Sequence, residues 1–319
     1  PFEFHAPHCL SPSTCDAMNQ IEQWKHDGYL VHRNVFEAAL VEHLREACDD
    51  SLAQWKRESI AEGEPGGHCY GPNAWVMLHL NHPKYHHHHP QRLATLLNAV
   101  ADPRVLAILN DIFREPAVFI QINYYIDPLQ SRPAAWHRDS QLHAEFTGED
   151  ETSSIHREAD PPREIHMHIP LVPTSATEVV PGSHLRTDTP EEGHIRRDDP
   201  DSDEMPNTLR LHLEPGDLAF FHVNALHRGL YLQGVPRRTI AVTLNRASDP
   251  RPLTAALMEK RSGYVPTYQP WFSNPKYLDG CSPAAREFYQ RFIDVYGESW
   301  RPDFMQTLPQ SLQEYFTKC

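Results

Sequence analysis

The chain carries two kinds of hydrophobic pattern. In its first third, apolar residues recur every three or four positions, which predicts helices. The clearest case is the segment 37–63, whose leucine, valine, alanine and tryptophan residues form one stripe. Three more helices are predicted at 11–28, 91–100 and 103–113, and the segment GYLVHRNVF at 28–36 is predicted to be a short strand.

The pattern changes at Ala117. In AVFIQINYYID, alternation places Gln121, Asn123 and Tyr125 on one face of a predicted strand. Short apolar segments follow as far as residue 246, and helical patterns return at 282–297 and 309–318. Helices that flank a block of short strands predict an α+β fold built around a sandwich or barrel. We predict a single domain, 1–319, with a mainly helical part at 1–116, a barrel at 117–247 and a C-terminal extension at 248–319.

Charge and cysteine content narrow the class of protein. The net charge of −14 argues against binding to nucleic acid or to anionic membranes. No uninterrupted apolar run is long enough to span a bilayer. The six cysteines are scattered without the spacing of a zinc site or redox pair, which is typical of reduced thiols in the cytoplasm. We therefore expect a cytoplasmic protein that acts on small molecules, and its oligomeric state stays open.

The segment PAAWHRDSQLH, at 133–143, contains a candidate metal-binding pair. Side chains two positions apart on a strand share a face, so His137 and Asp139 can converge on one ion. Imidazole and carboxylate together suit a divalent first-row metal. The pair alone is weak, because a chain with 22 histidines contains such pairs by chance.

A third ligand is available in EPGDLAFFHVNALHRG, at 214–229. There a tight turn leads into an apolar strand, and His227 lies in the segment after it. A distant histidine would complete a facial triad of two histidines and one carboxylate, which leaves positions on the metal open. His222 is a rival, but its apolar neighbours favour a place in the core.

Two arginines, Arg237 and Arg238, begin the next predicted strand. Neighbouring residues of a strand face opposite sides, so only one of them can enter a barrel. A buried guanidinium needs an anion, and a dicarboxylate would supply one. The alternative is an edge-strand charge that pairs with a surface carboxylate.

Five segments in this order resemble the phytanoyl-CoA dioxygenase family of Fe(II)/2-oxoglutarate-dependent oxygenases. They are GYLVHRNVF, WHRD, VPGSH, PGDLAFFHVNALHRG and RRT, and the resemblance runs from about Trp24 to Arg246. It implies a double-stranded β-helix, a cupin-like jelly-roll barrel flanked by helices. It also implies Fe(II) as cofactor, with 2-oxoglutarate and O2 as cosubstrates.

Residue roles follow from the same resemblance. His137, Asp139 and His227 match the metal ligands. Arg238, eleven positions after His227, matches the arginine that binds the far carboxylate of 2-oxoglutarate, which would leave Arg237 pointing outward.

The chain departs from the family at Gly229, where a serine or threonine often helps to hold the cosubstrate. Gln121, Asn123 and Tyr125 are our candidates to replace that hydroxyl. Trp136, together with Gln121 and Asn123, is our candidate for substrate contact.

For the reaction, the resemblance implies hydroxylation, desaturation or cyclisation of a small or medium-sized metabolite, with release of succinate and CO2. Related halogenases have a small residue where this chain has Asp139. Acidic loops at 148–164 and 186–206 favour a neutral or cationic substrate over a CoA ester. Two alternatives stay open: a metal-dependent hydrolase with the same ligands, and a non-enzymatic binding protein on the same barrel. The histidine run at 82–90 is predicted to be an irregular loop without function.

Overall fold

The structure is a computed structural model. It describes residues 16–61, 75–86, 88–128, 130–139, 150–250, 267–300 and 306.

The helices of the described residues are α1 Asp16–Asp27, α2 Ala38–Ala61, α3 Pro90–Val100, α4 Pro103–Phe113, α5 Glu151–Glu158, α6 Pro190–Asp198 and α7 Pro283–Tyr296. Five of them lie where the sequence pattern predicts helices. The prediction is wrong for α5 and α6, which lie in the segments predicted to be acidic loops, because the side chains of Asp150 and Thr189 cap a helix start in each. Local chemistry sets several ends. At α4, the Asp102 side chain accepts a hydrogen bond from the backbone N–H of Arg104, and Pro103 occupies the first turn. The helix predicted at 309–318 lies outside the described residues.

Two antiparallel sheets form the barrel. The strands are β1 Tyr29–His32, β2 Val76–Met77, β3 Ala117–Tyr125, β4 Arg132–Pro133, β5 Glu164–Pro170, β6 Thr174–Val179, β7 Leu209–Leu213, β8 Leu218–His222, β9 His227–Tyr231 and β10 Thr239–Arg246. The larger sheet has the order β1-β8-β5-β10-β3-β2, and the smaller sheet has the order β4-β9-β6-β7.

The connections give the fold its type. After β5 the chain crosses to the smaller sheet for β6 and β7, returns for β8, crosses again for β9 and returns for β10. This repeated crossing is that of a double-stranded β-helix, and helices flank it. The predicted α+β class and the cupin-like barrel are confirmed. The mainly helical part is built into the barrel, because it contributes the edge strands β1 and β2.

One apolar stretch, Pro90–Phe113, has the length and composition of a membrane span, and 50% of it is buried inside the protein. The stretch consists of α3 and α4, which are separate helices. Their apolar residues, Val100 and Val105 among them, belong to the main core.

The main core lies between the helices and the outer face of the larger sheet. Phe119 of β3 is at its centre and is fully buried. Its ring centroid lies 5.1–6.4 Å from those of Phe272, Phe288, Tyr289 and Phe292. These edge-to-face and tilted contacts anchor α7 against β3.

We expect Phe119→Ala to lower the free energy of unfolding by about 3–5 kcal/mol, because it removes a large buried ring and leaves a cavity among four others. Urea denaturation followed by tryptophan fluorescence measures the change. Val295→Ala, at a side chain of α7 that is 36% exposed, is the control. A loss for Phe119→Ala no larger than that of the control would contradict the assignment of this core.

The inner face of the larger sheet is polar. In β3, β10 and β5, antiparallel register places residues side by side in rungs, and the members of a rung share a face. The rungs are Gln121–Thr243–His166, Asn123–Ala241–His168 and Tyr125–Thr239–Pro170. Polar groups therefore line the barrel where β9 and the segment after β4 face it.

Candidate metal centre

The segment that carries His137 and Asp139 is less regular than predicted. Only His137 pairs with a strand residue, His227, through two backbone hydrogen bonds of 3.0 and 3.1 Å. The N–H of Asp139 instead donates to the carbonyl of Val223. The predicted strand is thus a single bridge, because the backbone turns away from β9 to other partners. The predicted alternation of side chains persists nonetheless.

His137, Asp139 and His227 meet inside the barrel. Each offers one ligand atom, and these atoms lie within 4.8 Å of one another. Nε2 of His137 is 3.5 Å from Oδ1 of Asp139, and Nε2 of His227 is 3.7 Å from Oδ2. Across the described ranges, no other group of three or more histidine, cysteine or acidic side chains is placed to hold a metal ion.

Backbone contacts orient both imidazoles. Nδ1 of His137 lies 2.7 Å from the carbonyl oxygen of Ala135, and Nδ1 of His227 lies 2.9 Å from that of Ala225. Each Nδ1 must therefore carry the proton and donate it, which leaves the lone pair on Nε2. Both lone pairs are available at the centre of the group.

The protonation states suit a cation. Burial lowers the pKa of His227 to about 3, so its imidazole is neutral at physiological pH. Burial alone would raise the pKa of Asp139, but the hydrogen bond from His166 and the surrounding imidazoles hold it well below its usual range. The group therefore offers two imidazole nitrogens and one carboxylate, the set expected for a facial triad.

A fourth histidine, His166 of β5, touches this group. Nε2 of His166 lies 2.6 Å from Oδ2 of Asp139. In the sequence, the alternation of side chains places His166 and His168 on the same face of β5. It does not indicate which loop His166 contacts. Only the tertiary structure brings β5 next to Asp139.

The prediction for the two arginines is wrong. Arg238 points outside the barrel, where its Nε donates to Asp49 at 2.7 Å and its Nη1 lies 2.5 Å from Asp127. Arg237 is inside and 3% exposed. The reason is the alternation of side chains along a strand. Thr239 faces the interior, so Arg237, two positions earlier, faces the interior as well, and Arg238 faces outward.

Arg237 is held between aromatic rings, with no carboxylate partner for its guanidinium among the described residues. Its guanidinium carbon lies 4.5 Å from the ring centroid of Tyr125 and 4.4 Å from that of Tyr231. Nη1 makes one long hydrogen bond, of 3.4 Å, to the carbonyl oxygen of Leu230. Its buried Nε has no hydrogen-bond acceptor within the part of the chain that the structure describes. A buried cation in this state favours an anionic partner.

The pKa and the ring contacts of His168 also indicate that Arg237 lies inside the barrel. Burial, and next the charge of Arg237, lower the pKa of His168 well below its usual range. The ring of His168 also lies 5.6 Å from that of Tyr125, between centroids. Arg237 and His168 therefore share one polar compartment of the barrel.

Gly229 leaves room for an aromatic side chain. A Cβ at this position would lie 3.0 Å from Cε2 of Tyr231 and 3.1 Å from its hydroxyl oxygen. Residues 227, 229 and 231 share one face of β9, so the tyrosine folds back over the glycine toward the metal group. The Tyr231 hydroxyl thus lies beside the place where a side chain of residue 229 would begin.

The other predicted residues divide between the inside and the outside of the barrel. Gln121, Asn123 and Tyr125 face the interior, where the amide of Gln121 donates to Thr243 at 3.2 Å. Trp136 does not, so its predicted contact with substrate is wrong. Its indole packs under Arg228 and donates to the carbonyl oxygen of Ser202, because alternation turns it away from its neighbour His137.

His222 is a core residue, as predicted. Its Nε2 lies 2.8 Å from the carbonyl oxygen of Glu158, and its Nδ1 accepts from the N–H of Asn224. The ring stacks on Trp24 at 6.1 Å. Burial lowers its pKa to about 3, so it stays neutral.

The acidic loops are partly structural. Asp188 and Glu151 form ion pairs with Arg196, and Asp188 also binds the buried Arg138. These carboxylates join α5 and α6 behind the metal group. They are consequently less available to repel an anionic substrate than the sequence indicates.

Comparison with known proteins gives the same picture of the fold. EctD from S. alaskensis, crystallised with 2-oxoglutarate and 5-hydroxyectoine, is 18% identical, with 76% of this chain and 85% of that chain covered and a TM-score of 0.53. EctD with bound Fe gives 19% identity, the same coverages of 76% and 85%, and a TM-score of 0.52. The epimerase SnoN from nogalamycin biosynthesis is 19% identical, with 74% and 82% covered and a TM-score of 0.47.

No curated protein matches the chain by sequence. The family model for phytanoyl-CoA dioxygenase matches residues 24–231, well over half of the chain. The matched region includes all three members of the metal group and the strands that position them. The chain therefore belongs to the phytanoyl-CoA dioxygenase family.

Proposed function

We propose that this protein is a non-haem Fe(II)- and 2-oxoglutarate-dependent oxygenase that oxidises a small or medium-sized metabolite, releasing succinate and CO2. One observation carries the proposal. A His-Asp-His group that can hold a metal opens into the same barrel as Arg237, a buried cation whose Nε has no acceptor among the described residues. A metal and a carboxylate-binding cation together fit a 2-oxo acid with a second, distant carboxylate.

The donor set fits Fe(II). Two imidazoles and one carboxylate suit a divalent first-row metal and leave one face of an octahedral ion open. Bound there, iron would supply the activation of oxygen that amino-acid side chains cannot provide. His137, Asp139 and His227 would hold it, each oriented by the contacts described above.

Arg237 would bind the far carboxylate of 2-oxoglutarate. A guanidinium pairs with a carboxylate through two parallel hydrogen bonds, and its unpaired Nε is one of the donors. The rings of Tyr125 and Tyr231 restrict the guanidinium, which lowers the entropy lost on binding. Tyr231 would also supply the hydroxyl that Gly229 cannot provide, since the two residues are in contact.

Apolar residues limit water near the metal group. The ring of Phe221 lies 5.2 Å from that of His227 and 4.9 Å from that of His168, between centroids. Phe221 itself belongs to a small apolar cluster inside the barrel, with Val179 and Leu213 among its members. A drier site strengthens the binding of charged cosubstrates and protects reactive species from side reactions.

The presence of Asp139 favours hydroxylation, or desaturation or cyclisation, over halogenation. For the substrate, Asn123 offers a buried amide oxygen that accepts no hydrogen bond from any described residue. Such an oxygen prefers a hydroxyl or N–H donor, which supports a neutral or cationic metabolite. The positive charge of Arg237 does not favour an anionic substrate, because the far carboxylate of 2-oxoglutarate would neutralise that charge.

We also infer that the enzyme works in the cytoplasm. Cys48 and Cys281, the two described cysteines, are buried free thiols. Free thiols are typical of a reducing compartment.

An anaerobic titration of the metal-free protein with Fe(II) and 2-oxoglutarate tests the proposal. We expect a weak visible charge-transfer band that requires both components, because the 2-oxo acid chelates the metal held by the triad. His227→Ala should abolish the band, and His194→Ala, an exposed histidine of α6 paired with Asp198, should retain it.

Absence of the band in folded, iron-loaded protein would refute the cosubstrate. Turnover that needs neither 2-oxoglutarate nor oxygen would instead favour a metal-dependent hydrolase, in which Arg237 has no role. Retention of the band in His227→Ala would mean that the metal binds elsewhere.

A further inference from the structure

His166 is part of a hydrogen-bonded row that crosses three strands and ends at the metal group. Gln121, Thr243 and His166 form one rung of the larger sheet. Nε2 of Gln121 is 3.2 Å from Oγ1 of Thr243, which is 3.2 Å from Nδ1 of His166. Nε2 of His166 then lies 2.6 Å from Oδ2 of Asp139. The row joins the sheet directly to a candidate metal ligand.

The direction of donation at the end of this row follows from its acceptor. A carboxylate oxygen can only accept, so Nε2 of His166 carries a proton and donates it to Oδ2 of Asp139. On the other side of the ring, Nδ1 contacts the hydroxyl of Thr243, which accepts from the amide of Gln121. The result is a hydrogen-bond donor aimed at one carboxylate oxygen.

The two oxygens of Asp139 have different surroundings. Oδ1 is 3.5 Å from Nε2 of His137. Oδ2 receives the shorter contact, from His166, and is 3.7 Å from Nε2 of His227. His166 is not itself a member of the group whose ligand atoms lie within 4.8 Å of one another. It acts on the group through the carboxylate.

We infer that His166 is a positioning residue that occupies Oδ2 of Asp139, so that the carboxylate binds the metal through Oδ1 alone. This inference rests on the proposed function. A carboxylate that uses both oxygens would take up part of the open face that the cosubstrate and oxygen need. Hydrogen bonds to ligating carboxylates also raise metal affinity by holding the ligand in place.

The neighbours of His166 support a fixed orientation. Its ring centroid lies 5.3 Å from that of Phe221 and 6.3 Å from that of His227. Its side chain is 20% exposed, and that of Asp139 is 18% exposed. Packing on one side and hydrogen bonds at both nitrogens leave the imidazole a single arrangement.

The test measures affinity for Co(II), an air-stable substitute for Fe(II), without 2-oxoglutarate. We expect His166→Leu to raise the Kd about 10- to 100-fold, the usual cost of losing a contact to a metal ligand. His166→Gln, which keeps an N–H donor on a side chain of similar reach, should stay within a few-fold of the parent. Thr243→Val, which keeps the imidazole but removes the hydroxyl that contacts its Nδ1, should fall between them.

The parent protein, His194→Ala and His137→Ala are the controls, and thermal unfolding of each metal-free variant establishes that it is folded. Equal losses in His166→Leu and His166→Gln would overturn the inference, because they would make His166 a metal ligand. Unchanged affinity in a folded His166→Leu would overturn it too.

The control also separates this inference from the proposed function. If His137→Ala abolishes binding of Co(II) while His166→Leu leaves it intact, the metal centre stands and only the role of His166 is wrong. If His137→Ala binds Co(II) normally, the metal centre is refuted and both proposals fail.

Discussion

Arg237→Met is expected to raise the Kd for 2-oxoglutarate about 100- to 1000-fold, because it removes the buried cation that would pair with the far carboxylate. Its guanidinium is held between two tyrosine rings, and its Nε has no acceptor among the described residues, so it is available to pair with that carboxylate. The charge-transfer band of the anaerobic Fe(II) complex, titrated with 2-oxoglutarate, measures the change.

The matched control is Arg238→Met, the same substitution one position later. Arg238 binds Asp49 and Asp127 outside the barrel, so its loss should leave the Kd nearly unchanged. A second control is 2-oxobutyrate, a 2-oxo acid without the far carboxylate, whose binding should not distinguish the two variants. A large loss in Arg238→Met with none in Arg237→Met would restore the assignment made from the sequence.

Arg138→Met is expected to lower the free energy of unfolding by about 3–5 kcal/mol, because it breaks a buried charged network. The Arg138 side chain is fully buried. It donates to the carbonyl oxygens of Ser183 and Asn224 and to the carboxylate of Asp188. Methionine has similar length but no donors, so these acceptors lose their partner. Urea denaturation at pH 7 measures the loss.

The pH dependence of stability should change in the same variant. Burial raises the pKa of Asp188, but Arg138 and Arg196 outweigh it and lower the pKa below its usual range. An acid with a lowered pKa in the folded state stabilises the protein above its unfolded pKa, and this stability is lost as the pH falls through the folded pKa. Arg138→Met should therefore lose less stability than the parent on acidification in this range.

Arg45→Met provides the comparison for that substitution. Arg45 pairs with Glu42 on α2, and the two side chains are 41% and 51% exposed, so its loss should cost about 1 kcal/mol or less. If both variants lose the same small amount, the network around Arg138 does not support the metal-binding segment.

The sequence predicts the fold well where the spacing of apolar residues stays regular over many positions. The stripe of α2 and the Pro103 start of α4 needed no tertiary information. The metal group was also within reach, since spacing pairs His137 with Asp139 and family resemblance adds His227. Short strands and loops are harder, because β2 has two residues and the metal-binding segment has one bridge.

The wrong predictions for Trp136 and Arg238 share one physical cause. Alternation assigns Trp136 and His137 to opposite faces, yet we expected both near the substrate. Alternation in β10 likewise aligns Arg237 with Thr239, whereas the family spacing pointed to Arg238. Both predictions would have been right if the alternation of side chains along a strand had been weighted above the number of residues that separates two family motifs. His166 could not have been found this way, because its contact with Asp139 joins residues 27 positions apart in different segments.

The contact between Gly229 and Tyr231 has an evolutionary consequence. A Cβ at position 229 would come within 3.0 Å of the tyrosine ring, so a larger residue there requires a smaller or displaced residue at 231. The two sites are thus expected to covary among relatives of this chain. A glycine followed two positions later by tyrosine would mark one lineage of cosubstrate pocket, and a hydroxyl residue with a smaller partner would mark another.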